Sequence, residues 1–202
     1  MINKNEINKM LSDYDSWFEE YGDSYLSVGW NKPKANDRFQ IFLDEFNSFL
    51  INNELVVLDL GCGLAHFYQY LKERKINVTY IGVDINPKFI DFCQKKYPDQ
   101  QFICDSIENL KLSCDIIIAS GLFNRRFKES LKFIESTFKF AEKSARVAFA
   151  FNFLHDKALK KYPLNYYSSV SALENLYSRK YLSGFKIDAS TIKGEFTFFG
   201  YK

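Results

Sequence analysis

Asp59, Gly61 and Gly63 follow an apolar run that begins at Val56, and small Ala65 comes next. An acid, two glycines and a small residue at this spacing fit a buried strand, a tight turn and a helix start. Glycine lets such a turn press its backbone against a ligand, where a Cβ would collide or force φ out of range. The unpaired N–H groups of the helix start suit an anionic or polar ligand. A second acid, Asp84, ends the apolar run from Val78, about 20 residues past the turn, the place from which a carboxylate takes both hydroxyls of a ribose. A carboxylate only accepts, so two vicinal hydroxyls can both donate to it. Ile85 follows Asp84, Asp105 and Ser106 end a third short apolar run, and Ser120 ends a fourth. Open parallel sheets bind ligands at this carboxyl edge.

Two ligand classes use such a turn. The dinucleotide fingerprint G-x-G-x-x-G places its third glycine where the helix packs on the strand. Counted from Gly61, that place holds His66, whose ring opposes close approach of a pyrophosphate. An NAD-dependent oxidoreductase is therefore the weaker alternative. The pattern present, acidic-x-G-x-G-x-small from Asp59 to Ala65, resembles the first motif of the class I S-adenosylmethionine-dependent methyltransferases. The resemblance implies S-adenosylmethionine as cofactor and S-adenosylhomocysteine as product. It implies that Asp105 and Ser106 meet the adenine amino group and that Asp59 accepts from the methionine amino group. Arg38, if the leader folds over the site, would hold the methionine carboxylate with both prongs of its guanidinium; a solvated arginine on a helix face is the alternative. Aromatic walls, among them Trp30, would contact the sulfonium.

The likeness extends over nearly the whole chain. Tyr21-Gly22-Asp23-Ser24, Gly29-Trp30 and Arg38-Phe39 look like the leader of one bacterial methyltransferase family. That family also shows Ala-Ser-Gly-x-Phe-Asn after the fourth strand, here Ala119 to Asn124, and Ala-Phe-Asn-x-Leu after the fifth, here Ala150 to Leu154. Its last strand is short and aromatic, as in Glu195 to Tyr201. Similar proteins belong to bacterial surface-polysaccharide pathways, which implies a capsule sugar or its phosphoramidate decoration as a small-molecule acceptor, methylated at oxygen. One departure stands out. A His-Asp-Tyr triplet often precedes the family's last strand, whereas residues 186–190 read Lys-Ile-Asp-Ala-Ser, so no role of that histidine carries over.

A neutral acceptor needs a base or a route for its proton. His155, beside Asp156 and just past the fifth strand, is the candidate base. His66 reads as a packed histidine. Tyr14, Tyr25 and Trp30 read as exposed-loop aromatics of a leader that caps the pocket, and Tyr162, Tyr166 and Tyr167 crowd the loop after the fifth strand. Burying the leader on the sheet would use the same aromatics equally well. Phe123, Asn124, Arg125 and Arg126 follow the fourth strand, and the arginine pair suits either a phosphate or carboxylate on the acceptor or a solvated helix start. DNA adenine methyltransferases carry a Pro-Pro-aromatic motif there to grip a flipped base, and Ser-Gly-Leu-Phe-Asn has no such prolines. A third class, a catalytically silent S-adenosylmethionine-binding partner of another methyltransferase, fits the same cofactor motifs.

The elements that must position these residues follow from periodicity. Phe39, Phe42, Leu43, Phe46 and Leu50 recur at helix spacing, with Asn36 or Asp37 as cap and Pro33 in a preceding loop. Strands are expected at 54–60, 78–84, 101–104, 114–120 and 146–152, alternating with helices at 65–74, 87–96 and 127–142. A helix at 171–180 and a hairpin of strands 184–190 and 195–201 finish the chain. The fold class is α/β, a Rossmann-like three-layer sandwich with a seven-stranded, mostly parallel sheet whose last strand is antiparallel. One domain is expected over 1–202, with 1–52 as helical leader, 53–154 as cofactor-binding core and 155–202 as substrate loop and hairpin. Composition agrees: 47% apolar residues fill a sizeable core, while a net charge of +2 lacks the basic excess of a general nucleic-acid binder. The four cysteines form no C-x-x-C pair and read as reduced thiols without metal, as in a cytoplasmic protein. No apolar run approaches a membrane span. The oligomeric state is not legible.

Overall fold

The computed structural model describes residues 2–50, 54–177 and 183–202. The expected boundary between residues 52 and 53, and the expected helix end at Lys180, lie outside the described residues. Strands β1 (Val56–Leu60), β2 (Thr79–Asp84), β3 (Gln101–Cys104), β4 (Cys114–Ala119), β5 (Ala145–Leu154), β6 (Gly184–Asp188) and β7 (Glu195–Tyr201) form one sheet in the order β3-β2-β1-β4-β5-β7-β6. The first five are mutually parallel, and β7 inserts antiparallel between β5 and β6. This is the Rossmann-like architecture expected from the sequence. Strand order reverses between β1 and β4, which opens a crevice at their carboxyl ends.

Side-chain alternation divides the sheet into two cores. Val57, Tyr80, Ile116, Ile118, Ala148 and Phe199 face α2 (Lys32–Leu50), α3 (His66–Glu73) and α4 (Pro87–Lys96). Leu58, Ile81, Ile117, Phe149, Phe151 and Phe198 face α5 (Ser130–Ser144) and α6 (Val170–Tyr177). The second core is rich in aromatic rings: Phe138 meets Phe149, Phe151 and Phe198 edge-on at 5.6, 5.0 and 5.1 Å. Gly200 gives the Phe149 ring its room, since a Cβ there would lie 2.4 Å from Cζ. Gly200→Ala is therefore expected to lower stability by about 1–3 kcal/mol, measured as a reduced urea midpoint with unchanged slope.

The leader differs from its reading in three places. First, α1 (Lys4–Tyr21) is capped by Asn3, and it carries Tyr14 on a helix rather than in a loop. Second, α2 starts at Lys32, ahead of Asn36 and Asp37, because Asn31 Oδ1 accepts from the Lys34 N–H at 3.0 Å. Pro33 thus sits in the first helical turn, where a missing N–H breaks no bond. Third, Tyr25 belongs to a 3-10 turn, Tyr25–Val28, that joins the two helices to the sheet edge. Strand β5 also runs past Asn152 to Leu154, because β7 pairs with it there (Leu154 opposite Glu195).

Candidate functional site

A cavity of about 320 Å³ lies at the carboxyl ends of β1, β2, β3 and β4, under the inner face of α1. Its floor is the turn after β1. The N–H groups of Gly61 and Cys62 both donate to the Val83 carbonyl, at 2.8 and 3.0 Å, which ties the turn to β2. Gly61 and Gly63 hold φ at +71° and +53°. A Cβ would strike Leu122 in the first case and Val28 in the second, each at 2.9 Å. The bare backbone is thus required both for its conformation and for the close approach of neighbours, as a ligand cradle demands.

Asp84 is held from both sides. Its Oδ2 accepts the Gly63 N–H and its Oδ1 the Asn86 N–H, each at 2.9 Å. Burial raises its pKa, while these backbone donors oppose the shift. Two engaged oxygens still leave lone pairs for hydroxyl donors. Asn86 caps α4 by accepting from the Lys88 N–H and donates to Asp15 of α1 at 2.8 Å, so the leader helix is fastened to the same corner. Asp59 is buried on the α2 side of β1 and accepts the Tyr80 hydroxyl at 2.6 Å. Burial pushes its carboxyl up to about 7, against the pull of that hydrogen bond.

His66 is the packed histidine expected. Its ring stacks on Tyr25, centroids 3.9 Å apart at 9°, and burial lowers its pKa to about 4, so it is neutral. The pyrophosphate approach at the third-glycine position is filled by this stack. Tyr14 and Tyr25 also line the cavity, and burial pushes each phenol up to about 12.

Arg38 corrects the expectation from sequence. It is fully buried, and its Nε and Nη2 donate to the two carboxylate oxygens of Glu195 at 2.6 and 2.8 Å. The two-pronged edge expected to hold a methionine carboxylate is therefore already occupied from β7. Trp30 lies flat on the same guanidinium, which is 3.4 Å from the ring centroid. Arg125 is likewise engaged, paired with Asp13 of α1.

The cavity brings together Asp59, Gly61, Gly63, Asp84, Ile85, Asp105, Ser106 and Ser120 with Tyr14, Tyr25, Trp30, Arg38 and Arg125. Phe123, Asn124, Tyr166, Tyr167 and His155 are not in its lining. Phe123 stacks on Phe153 at 4.7 Å inside the second core, and Asn124 is buried beside Gly121. The Tyr166 N–H donates to the Asn124 carbonyl, and the Tyr167 hydroxyl accepts the Tyr162 N–H. His155 packs against Phe196, with Nδ1 2.8 Å from Asp156 Oδ1 and 3.0 Å from the Lys157 nitrogen. Its local partners are the expected ones, but the structure does not carry it to the cavity. Sequence reasoning misses the roof of the site: Ile7, Met10 and Leu11 of α1 line it, and their helical spacing is the available signal. It also misses Glu195, for which no local signal exists.

Residues 57–143, from β1 through most of α5, match the family described as a methyltransferase domain. That segment holds the cradle, Asp59 and Asp84, and it is similar to the class I S-adenosylmethionine-dependent methyltransferase domain, whose cofactor is S-adenosylmethionine. Among curated relatives it is similar to a malonyl-[acyl-carrier protein] O-methyltransferase of Priestia megaterium, 24% identical over 127 residues, covering 61% of this chain and 43% of that protein. It is also similar to a tRNA (guanine-N(7)-)-methyltransferase of Clostridium botulinum, 27% identical over 78 residues, covering 36% of each. The alignments thus span less than half the length of these relatives. In fold it is similar to the magnesium protoporphyrin IX methyltransferase of Synechocystis PCC 6803, solved with bound S-adenosylhomocysteine. That likeness has a TM-score of 0.71 at 13% identity and covers 99% of this chain and 100% of that one. Arg38, Trp30 and Glu195 all lie outside the matched family segment.

Proposed function

We propose that this chain transfers the methyl group of S-adenosylmethionine to a hydroxyl oxygen of a small polar acceptor, of the kind found in bacterial surface saccharides. The observation that carries the cofactor half is the clamped Asp84, fixed by Gly63 and Asn86 beside a cradle that admits no Cβ. When bound, the cofactor supplies a methyl group already activated on a sulfonium. The remaining tasks fall to the chain. Asp84 accepts from the ribose hydroxyls, Asp59 accepts from the amino-acid ammonium, and Asp105 with Ser106 meets the adenine edge. Trp30, Tyr25 and the apolar face of α1 exclude water and hold the reacting groups together, which can account for several kcal/mol of a transfer barrier, on the order of 7–11 in favourable cases. The acceptor half rests on the leader, and a cavity of about 320 Å³ roofed by α1 supports a small molecule over a nucleic acid.

Calorimetry with S-adenosylhomocysteine and with NAD tests the reading. S-adenosylhomocysteine is expected to bind in the micromolar range and NAD not at all. Asp84→Asn keeps the shape but weakens the charged hydrogen bonds, and a loss of about 10- to 100-fold in S-adenosylhomocysteine affinity is expected. Unchanged affinity would refute the assignment of Asp84. A base must reach the proton it removes, and His155 lies outside the cavity lining. His155→Ala is accordingly expected to keep turnover within about threefold of wild type, and a drop beyond about 100-fold would return the base role to His155. Failure of methyl transfer to a range of neutral saccharides, with cofactor binding intact, would favour the silent-partner reading.

A further inference from the structure

Each of the two family motifs carries an asparagine. Asn124 closes the segment after β4, Asn152 lies near the end of β5, and both are buried. Neither asparagine is used by the cofactor site. Asn124 Oδ1 and Nδ2, Asn152 Oδ1 and Arg38 Nη1 are all buried without a hydrogen-bond partner among the described residues. Native proteins rarely leave buried amides and guanidinium edges unpaired, because each has given up its water and received nothing back.

These atoms belong to one neighbourhood. Arg38 Nε and Asn152 Nδ2 converge on the same oxygen, Glu195 Oε2, at 2.6 and 3.1 Å. Trp30 covers the guanidinium, and the same ring presses on Gly121: a Cβ there would lie 3.1 Å from Trp30 and 3.3 Å from Asn124 Nδ2. Strand alternation puts Asn152 on the sheet face of Ala148 and Ala150, the face that packs on α2 and Arg38. Arg38, Trp30 and Gly121 are also cavity-lining residues, so the cluster adjoins the cofactor space on the side away from Asp105.

We infer that Asn124, Asn152 and the free edge of Arg38 form a docking subsite for the acceptor, and that it takes an uncharged, hydroxyl-rich group such as a neutral sugar ring or polyol. The inference rests on the methyltransferase reading above and names the acceptor class within it. A hydroxyl both donates and accepts, which matches a donor edge on Arg38, an acceptor on Asn152 and one of each on Asn124. Glu195 neutralises Arg38, and Asp13 neutralises Arg125, so the subsite has no uncompensated cation for a phosphate or carboxylate. Trp30 is the movable wall: it is half-buried, comes from the leader, and must shift for a ring to reach the unpaired atoms.

The test uses the intact chain saturated with S-adenosylhomocysteine and carrying Trp17→Phe, so that Trp30 is the single tryptophan. Binding of S-adenosylhomocysteine is first measured by calorimetry. Methyl glucopyranoside and myo-inositol are then titrated against glucose 6-phosphate and inorganic phosphate at fixed ionic strength, with Trp30 emission as readout. The neutral polyols are expected to shift the emission with millimolar affinity, and the phosphates to do so no better than salt. Asn152→Ala and Asn124→Leu are expected to weaken the polyol response about tenfold or more, with S-adenosylhomocysteine affinity retained. Asn124→Leu should also raise the melting temperature, because it replaces two unpaired amide atoms by methyl groups on a side chain of the same branching, whereas a structural amide would make it fall. A phosphate-selective response, silence of the polyols, or full response in the variants would overturn the inference. Absence of S-adenosylhomocysteine binding would instead overturn the methyltransferase reading itself.

Discussion

Replacing Arg38 by alanine is expected to destabilise the protein by about 3–5 kcal/mol, because it leaves the Glu195 carboxylate buried with Asn152 as its remaining side-chain donor. For a chain of this length that corresponds to a fall in melting temperature of roughly 10 °C. A buried ion pair offsets a large desolvation cost, so removal of one partner is worse than removal of both. The double change Arg38→Leu with Glu195→Leu should therefore recover most of the lost stability. Thermal melts of the two single variants and the double variant form the required cycle. Equal destabilisation in all three would show that the pair acts only through packing.

The second large effect concerns Asp59 and has opposite signs for stability and binding. Its folded pKa is about 7, raised by burial, whereas an unfolded aspartate titrates near 3.8. The folded state therefore holds a proton that the unfolded state releases, and stability falls as pH rises from about 4 to about 7. Above that window the full penalty applies, up to about 4 kcal/mol, since each tenfold difference in proton affinity between the two states is worth about 1.4 kcal/mol. Asp59→Asn keeps an oxygen for the Tyr80 hydroxyl and removes the titration. The variant should match wild type near pH 4 and exceed it in stability by several kcal/mol near pH 8.5, measured by urea unfolding across that range. Its affinity for S-adenosylhomocysteine should drop by about 10- to 100-fold, and the wild-type gain in affinity as pH rises through 7 should vanish. A variant no more stable at high pH would show that the carboxylate is better solvated than its burial implies. The residue thus trades fold stability for a charge that only a bound cation repays.

Local chemistry is readable in the sequence and long-range pairing is not. The turn from Asp59 to Ala65 announces itself because its acid, glycines and helix start are contiguous. Asp84 is legible for a similar reason, since a strand ending in an acid in register with the turn needs no distant partner. The seven strands follow from alternating apolar runs, and the last strand's bounds, Glu195–Tyr201, agree with the expectation. Arg38 escapes such reading because its fate depends on Glu195, 157 residues later, and nothing near either residue signals the other. His155 looks catalytic from its neighbour Asp156, but adjacency in sequence says nothing about which wall of the sheet edge the ring joins. The α1 stripe of Ile7, Met10, Leu11 and Tyr14 is plain in period; only tertiary packing turns it into the roof of a cavity.

That separation has a consequence for how the molecule comes into being. On the ribosome, α2 emerges with Arg38 long before β7 exists, and domains assemble as their partners appear. Until Glu195 arrives, the guanidinium has no counter-ion at its destination, and burial of an unpaired charge is prohibitive. Docking of α2 is thus coupled to the arrival of β7, although Phe39, Phe42 and Phe46 of the same helix belong to the core that covers the sheet. Closure of the cofactor crevice thus depends on a strand made long after its floor, and a polypeptide that ends before Glu195 would leave Arg38 without its counter-ion and β5 without its antiparallel neighbour.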